Sequence, residues 1–586
     1  MPPAPDDPRD PLAPYGERQA RRGRFGLVGR PPAAGPRPRR RAILAAAALV
    51  TLAFSALLLS WPARAPEGLH LSGFYQGDMP TYVCYARMTQ RSATTLGYAS
   101  PHDVRDDAPP LLVNLPISAM GWLLSAGVPA GAVGHVFRLV FGVLMLFALG
   151  AYLRVVFPRR RWFWPAFVLV GLGGGVAWVA ALWALPEDLA EGQTLDWLAG
   201  EVRSLENAYY WWFLDVFRNL TYPLEAVYHA LVFGQLWALG TGRHRPALAF
   251  HALGCLSNPF VGIQMSGVQL AVLGLEALPK GRARARRAFA ASAAIAFAFV
   301  VHYALVLPTD PAIASLQAQH ADTLAEPLGL EELLLGYGPA LLGPLALLLD
   351  RPFGRHVFTA QRALVPAAVL ALWTAALAQN SRLPFDQQLM PLHFTRGYFH
   401  AGAWILTLAW LRHLAGRAPR FARLAPPLAA ALALLLLPDN LFYARARYAE
   451  LPQQPHLAWG DDQEAVLAWL RAAPPDRHVV AMDEALGRLV CALTPHRSAF
   501  GTALTTPHHF ARREQMEGFQ GAGEEPPLVA WADVLVLARH DGRRRALVEG
   551  GAWEEALCAG RLCVLERRGA RRPAADSVPT ASTPAR

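Results

Sequence analysis

A carboxylate set among aromatic residues, followed at long intervals by arginines, gives this chain the groups that displacement of a phosphate requires. The carboxylate is Asp78 in SGFYQGDMPTYVCYARM, between Tyr75 and Tyr82 and beyond an uncharged apolar run, Ala42 to Trp61. A base of this kind accepts a proton from an attacking hydroxyl held within about 2.6–3.2 Å. A departing phosphate needs no acid but does need positive charge, and the planar guanidinium fork fits phosphate oxygens two at a time. Arg87, Arg218 in FRNLTYP, Arg382 and Arg396 in HFTRGYF lie outside the apolar runs on the side of Asp78, and Arg138 lies near the boundary. Arg218 and Arg396 are the preferred phosphate-binding pair.

Each candidate has a structural alternative. Asp78 can cap the helix that PTYVCYARM would form along the membrane surface. Asp106 and Asp107, with Asp103 and His102 in HDVRDDAPP, make a secondary acidic site for a divalent cation or, more commonly, a solvated loop. Arg218 and Arg396 can snorkel to lipid headgroups. The AYYWWF stretch (208–213) suits an interfacial aromatic belt, although such rings also stack on sugars. His508 and His509 fall in a loop of the tail. No metal ligand set and no certain cofactor is assigned, and a divalent cation is kept as an option. No P-loop, GxSxG or HExxH occurs, which weighs against an ATPase, an α/β-hydrolase or a zincin.

The elements that must position these residues are mostly membrane helices. The 586 residues are 53% hydrophobic and 17% charged, against roughly 25% charged in an average soluble protein. The net charge of +11 comes from arginine clusters between apolar segments, so topology explains it and nucleic acid is not an expected partner. Lys280 is the single lysine. About 20 apolar residues span the hydrocarbon core, and roughly eleven segments qualify. They are Ala42 to Trp61, Ala132 to Phe157, Trp162 to Leu185, Leu224 to Leu239, Ala247 to Ile263, Ser266 to Leu278, Ala288 to Leu307, Leu333 to Leu349, Ala363 to Gln379, Tyr398 to Leu414 and Leu424 to Leu437.

Arginine-rich loops at 159–161, 243–245, 280–287, 351–355 and 417–423 alternate with loops carrying acids, including Asp310, Asp322 and Glu326. The positive-inside rule then sets the N-terminus in the cytoplasm and the tail outside, in a bacterial plasma membrane. The residues before the first span, 1–41, read as a disordered Arg/Pro-rich tail touching anionic lipid. Ionisable residues are expected in loops, not within the bundle. Ser257, Asn258 and Pro259 break one apolar run into two short helices bordering a pocket. Glu276 with Lys280 reads as a helix-end ion pair, Gly171 and Gly175 as a small-residue packing motif, and Pro116 as a break in a second interfacial helix.

Beyond Pro438 the pattern changes. DDQEAVLAWLRAAPP predicts a helix capped by Asp461 or Asp462. HVVAMD, ADVLVLAR and RLCVLERR predict buried strands. A small α/β domain over 439–570 follows, with a disordered end over 571–586. The five cysteines have no CxxC spacing, and Cys558 and Cys563 read as core residues.

At the first outer loop, 62–131, the chain resembles the GT-C class of integral-membrane glycosyltransferases. The matching features are the GD before Tyr82 and Tyr85-Ala86-Arg87, then Pro109-Pro110-Leu111, then HVFRLVFGVLMLFALGAYL with Arg138, and HFTRGYFHAGAWILTLAWL before a late span. The resemblance implies a polytopic helical bundle over 42–438, a polyprenyl-phosphate-linked sugar as donor, a glycan, lipid or protein acceptor, and inverting transfer with Asp78 as base. Met79 stands where many members carry a second acid, so the paired acidic form is absent. A transporter or lipid-carrier flippase and a non-catalytic assembly protein are the alternatives; a transporter predicts internal repeats and ionisable residues within the bundle.

Overall fold

A computed structural model describes residues 37–60, 66–92, 96–176, 178–179, 182, 216–279, 282–323, 329–382, 390–395, 397–519 and 524–569. The Arg40–Leu59 helix is rich in Ala and Leu, and its length of about 30 Å matches the hydrocarbon core. Its buried residues Ile43, Ala47, Thr51 and Ser55 recur every fourth position, whereas Leu44, Leu49, Leu52 and Leu59 stay exposed. That stripe lies on the Ala130–Val156 helix, where glycine allows backbones to approach. A Cβ at Gly150 would stand 2.3 Å from Ile43, and one at Gly142 would stand 2.9 Å from Thr51. Small residues at such contacts are how helices associate where lipid offers no hydrophobic drive.

By length and composition, five helices among the described residues can cross a membrane: Arg40–Leu59, Ala130–Val156, Pro259–Ala277, Ala283–Thr309 and Arg423–Ala446. The pair Arg351–Ala360 and Arg362–Leu377, bent by 101°, makes a sixth if counted as one span. These helices are the part of the roughly eleven expected segments that meets the length test among the described residues; others are shorter apolar helices or run partly outside those residues. The expected Trp162–Leu185 span ends as a helix at Leu172, because Gly173 turns extended. The apolar run at 247–278 divides where Ser257, Asn258 and Pro259 were expected to break it, into His244–Cys255 and Pro259–Ala277, so the second helix starts at Pro259 rather than at Ser266. Asn258 caps the second of these through Phe260 N, 3.0 Å away, and that helix is long enough to cross. Pro116 breaks nothing: it sits in the first turn of Leu115–Ser125, where its missing N–H is of no cost. Glu276 pairs with His244 and Arg362, and Lys280 lies outside the described residues.

The tail is the expected α/β domain. Its five-stranded sheet runs Arg497–Ser498, His478–Ala481, Val534–Ala538, Leu562–Arg567, Trp553–Ala559 in space. The first three strands are parallel and the last two antiparallel. Two apolar layers cover its faces. The Asp461–Ala472 helix is capped by Gly460, not by an aspartate. Cys558 and Cys563 are not separate core residues: they face each other across the last hairpin in a disulfide. The final membrane helix also runs on past the expected boundary, through Pro438–Glu450.

Contacts along the first loop and the Pro311–Thr323 helix seat the tail on the bundle. His70–Leu71 pairs with Ala458–Trp459 as a two-stranded ribbon, and the Met79–Arg91 helix packs on Glu484–Leu493. Arg512 donates to His102 O at 2.7 Å, and Gln319 on the Pro311–Thr323 helix donates to Ala503 O at 2.8 Å. Arg105 bridges Asp103 and Asp310 at 2.5 and 2.8 Å. The first loop, the Asp310 loop and the tail thus share one end of the bundle. At the other end Arg159, Arg161 and Arg412 gather around one cavity, and Arg40, Arg154 and Arg243 around another.

Candidate active site at the tail-bearing end of the bundle

Asp78 sits at the start of the Met79–Arg91 helix and is exposed. Its side chain makes no cap hydrogen bond. Its backbone is fixed instead, with Asp78 N donating to Gln76 Oε1 at 2.8 Å and Asp78 O accepting from Tyr82 N at 2.9 Å. Arg488 of the tail donates to the preceding carbonyl, Gly77 O, at 3.3 Å. A side chain at 77 would meet His456 at 2.8 Å, so only glycine lets the tail approach this closely.

Beneath this segment lies Arg138. Its guanidinium is 4.0 Å from the Tyr75 ring centroid, fully buried, and contacts His135 Nδ1 one turn earlier in the helix. His135 in turn holds Gly73 O at 3.2 Å, and its ring lies 4.7 Å from Tyr75. Arg138 Nε and Nη1 and the Tyr75 hydroxyl are buried without a hydrogen-bond partner among the described residues, and no carboxylate pairs with the arginine there. Burial pushes the Tyr75 phenol up, against the pull of Arg138, so it stays protonated. Buried donors left unpaired are costly, by about 1–3 kcal/mol each and more for a charge. These three donors lie behind the segment that presents Asp78.

Arg218 has a different setting. It lies in the Val216–Thr221 helix, is 1% exposed, and pairs with Glu225 at 3.2 Å. His229, one turn beyond Glu225, donates from Nδ1 to Glu225 O at 2.9 Å and stacks on Tyr398 with centroids 4.5 Å apart. Asn440 fixes this region by accepting from Phe217 N at 3.1 Å and donating to Leu172 O and Gly173 O at 3.0 and 2.9 Å. In the GLGGG stretch, Gly171 packs against Leu146 and Leu149 of the Ala130–Val156 helix as expected, whereas Gly173–Gly175 form a helix end whose Leu172 and Gly173 carbonyls Asn440 satisfies. Arg396 lies outside the described residues. Its neighbour Gly397, with φ 80°, makes the left-handed turn that starts the Tyr398–Arg417 helix and delivers Tyr398 to His229.

The remaining candidates serve the domain junction. Arg87 Nε donates to Ala492 O at 2.8 Å, and the residue lines a cavity of about 400 Å³ with His70, Trp459 and Arg471. Asp106 meets Arg497 at 3.1 Å and His478 at 3.2 Å, and Asp103 is taken by Arg105, so the acidic stretch is neutralised by side chains. Asp107 is exposed. His102, buried and holding Ser498 O at 2.9 Å, has its pKa lowered to about 4 by burial. His508 and His509 begin the His509–Gly518 helix, and their N–H groups donate to Ser315 and Gln319. Among the described residues the one cluster with metal-ligand proximity, Glu555 with Cys558 and Cys563, has both sulfurs in the disulfide. The AYYWWF stretch lies outside the described residues.

Sequence reasoning missed His135, Glu225, His229 and Tyr398, and it expected charges only in loops. Buried Arg138, Arg218, Glu225, His229 and His251 correct that expectation. The signal was present in the helical spacings His135/Arg138 and Glu225/His229, since ionisable residues inside an apolar helix mark function by default.

No sequence-family model and no curated protein matches the chain. Among solved structures it is similar to the archaeal oligosaccharyltransferase AglB from Archaeoglobus fulgidus in complex with an inhibitory peptide and a dolichol-phosphate. That match has 14% identity over 85% of this chain and 69% of that one, with a TM-score of 0.43. It is also similar to ArnT from Cupriavidus metallidurans in the apo state, with 14% identity over 90% of this chain and 97% of that one and a TM-score of 0.46. ArnT bound to undecaprenyl phosphate matches over the same shares at 14% identity with a TM-score of 0.44.

Proposed function

We propose that this chain is a membrane glycosyltransferase of the GT-C type, taking a sugar from a polyprenyl-phosphate carrier and inverting its anomeric carbon. The observation that carries the reading is the buried donor set of Arg138 and Tyr75 directly behind the segment that presents Asp78. This set is the cradle of the donor phosphate, whose charge stands where no carboxylate among the described residues meets Arg138. Asp78, exposed beside it, takes the proton of the acceptor hydroxyl as the sugar–phosphate bond breaks. Arg218, held by Glu225, is a second cation for the donor's polar end, with Arg396 beside the same turn in sequence. The reaction faces the outer side, with the N-terminus in the cytoplasm. The Cys558–Cys563 disulfide supports this orientation, because such bonds persist in oxidising compartments.

The test is transfer of a labelled sugar from its polyprenyl phosphate to host membranes by purified protein. Asp78→Asn should lower the rate by about 10²–10⁴-fold while undecaprenyl phosphate binding is retained; an unchanged rate overturns the base assignment. A second reading, a lipid-phosphate carrier, is favoured by the buried Arg218, Glu225 and His229 cluster. It predicts movement of the lipid between leaflets without any covalent product.

A further inference from the structure

Two cysteines that play no part in the chemistry above face each other across the junction between bundle and tail. Cys84 lies on the Met79–Arg91 helix and Cys491 on the Glu484–Leu493 helix. Both are fully enclosed in one apolar cluster with Phe74, Met79 and Leu451. Cys84 Sγ is 3.5 Å from Arg488 O, and Cys491 follows Arg488 by three residues, on the same face of that helix. The two cysteines are free thiols, close enough for each to shift the other's ionisation. Arg87 Nε, donating to Ala492 O at 2.8 Å, clamps the two helices one turn away.

We infer that Cys84 and Cys491 form an interdomain disulfide that staples the tail to the helix headed by Asp78. The inference rests on the outer placement of the tail, where the Cys558–Cys563 bond already stands. The bond forms as the tail docks, before packing excludes other molecules. Each thiol loses a proton and together they lose two electrons. The disulfide of an extracytoplasmic thiol–disulfide exchange protein accepts both and leaves as a dithiol. The neighbouring Cys84, with Arg91 and Arg87 nearby, holds the Cys491 thiol below its ordinary value, which favours the attacking thiolate. The consequence is positional: the segment carrying Asp78 is tied at 84 to the domain whose Arg488 and His456 touch Gly77.

The experiment is differential alkylation of the full chain. Protein purified without reductant is denatured in light iodoacetamide, reduced, labelled with a heavy reagent and read by peptide mass. Cys255 alone is expected to carry the light label, and an unreduced digest should contain a Cys84–Cys491 linked peptide two hydrogens lighter than its parts. In Cys84→Ser, Cys491 should switch to the light label, doubling the number of light cysteines. Light label on both Cys84 and Cys491 beside heavy Cys558 and Cys563 overturns the staple. Light label on every cysteine overturns it as well, by setting the tail on the reducing side. Neither result depends on sugar transfer, so the staple and the proposed activity fail separately.

Discussion

Arg138 and Arg218 are both buried among apolar helices, yet among the described residues only Arg218 meets an acid. Arg218 is paired with Glu225 at 3.2 Å, so its charge is balanced within the protein. Arg138 has an imidazole and a phenol ring for company and keeps two guanidinium nitrogens unpaired. Leaving a charge uncompensated in low dielectric costs several kcal/mol, and folding bears that cost only if something outside the chain returns it. On the proposed function, the difference between the two sites separates a cation kept for the donor phosphate from one that also braces the fold.

The sharpest way to break this comparison is Arg138→Gln. Removing a preorganised donor from developing or departing negative charge costs about 10²–10³-fold in rate. Because the buried charge disappears with it, the melting temperature in detergent should hold or rise. Lost transfer with lost stability would mean that Arg138 is a brace like Arg218. The counterpart is Glu225→Gln, which strands Arg218 without its acid. Breaking such a pair costs about 3–5 kcal/mol, read as a lower melting temperature. The double variant Arg218→Met with Glu225→Gln should recover most of that loss, and failure to recover would assign Glu225 a role beyond pairing.

The bundle, the tail and the place of Asp78 were legible in the sequence because apolar length, period-two strands and a charge-free first span each follow from local composition. The cradle was not. Arg138 and Tyr75 were both in view, but 63 positions separate them in sequence, and only helix packing brings Tyr75 over the guanidinium. The ends of individual helices were hidden for a related reason. Gly173, Pro259 and Gln361 interrupt helices that hydropathy joins, and the carbonyls freed at Leu172 and Gly173 are satisfied by Asn440, far along the chain. The tail's grip on the first loop was equally hidden, since His102, Arg87 and Cys84 have partners near 490–500 that no spacing rule connects.

That grip predicts a pH dependence. His102 is neutral in the folded protein down to about pH 4 because burial disfavours its charge, while the unfolded chain protonates near 6.5. The stability linked to it is present in full above about pH 6.5 and falls as the pH drops toward 4, by about 3 kcal/mol across the window. Melting scans from pH 7.5 to 4 should show this slope, and His102→Asn should flatten it. An equal slope in the variant would move the effect to other histidines.

The smallest effect separates the acidic loop from Asp78. Both place exposed aspartates on the first long loop, but Asp106 already meets Arg497 and His478, and at 40% side-chain exposure water screens the pair. Exposed ion pairs contribute roughly 0–1 kcal/mol. Asp106→Asn should therefore shift the melting temperature slightly and leave transfer within about twofold of the parent, a difference of about 0.4 kcal/mol in barrier. A loss of transfer that added divalent cation reverses would instead make the loop a metal site, which the guanidinium of Arg497 now occupies in place of an ion.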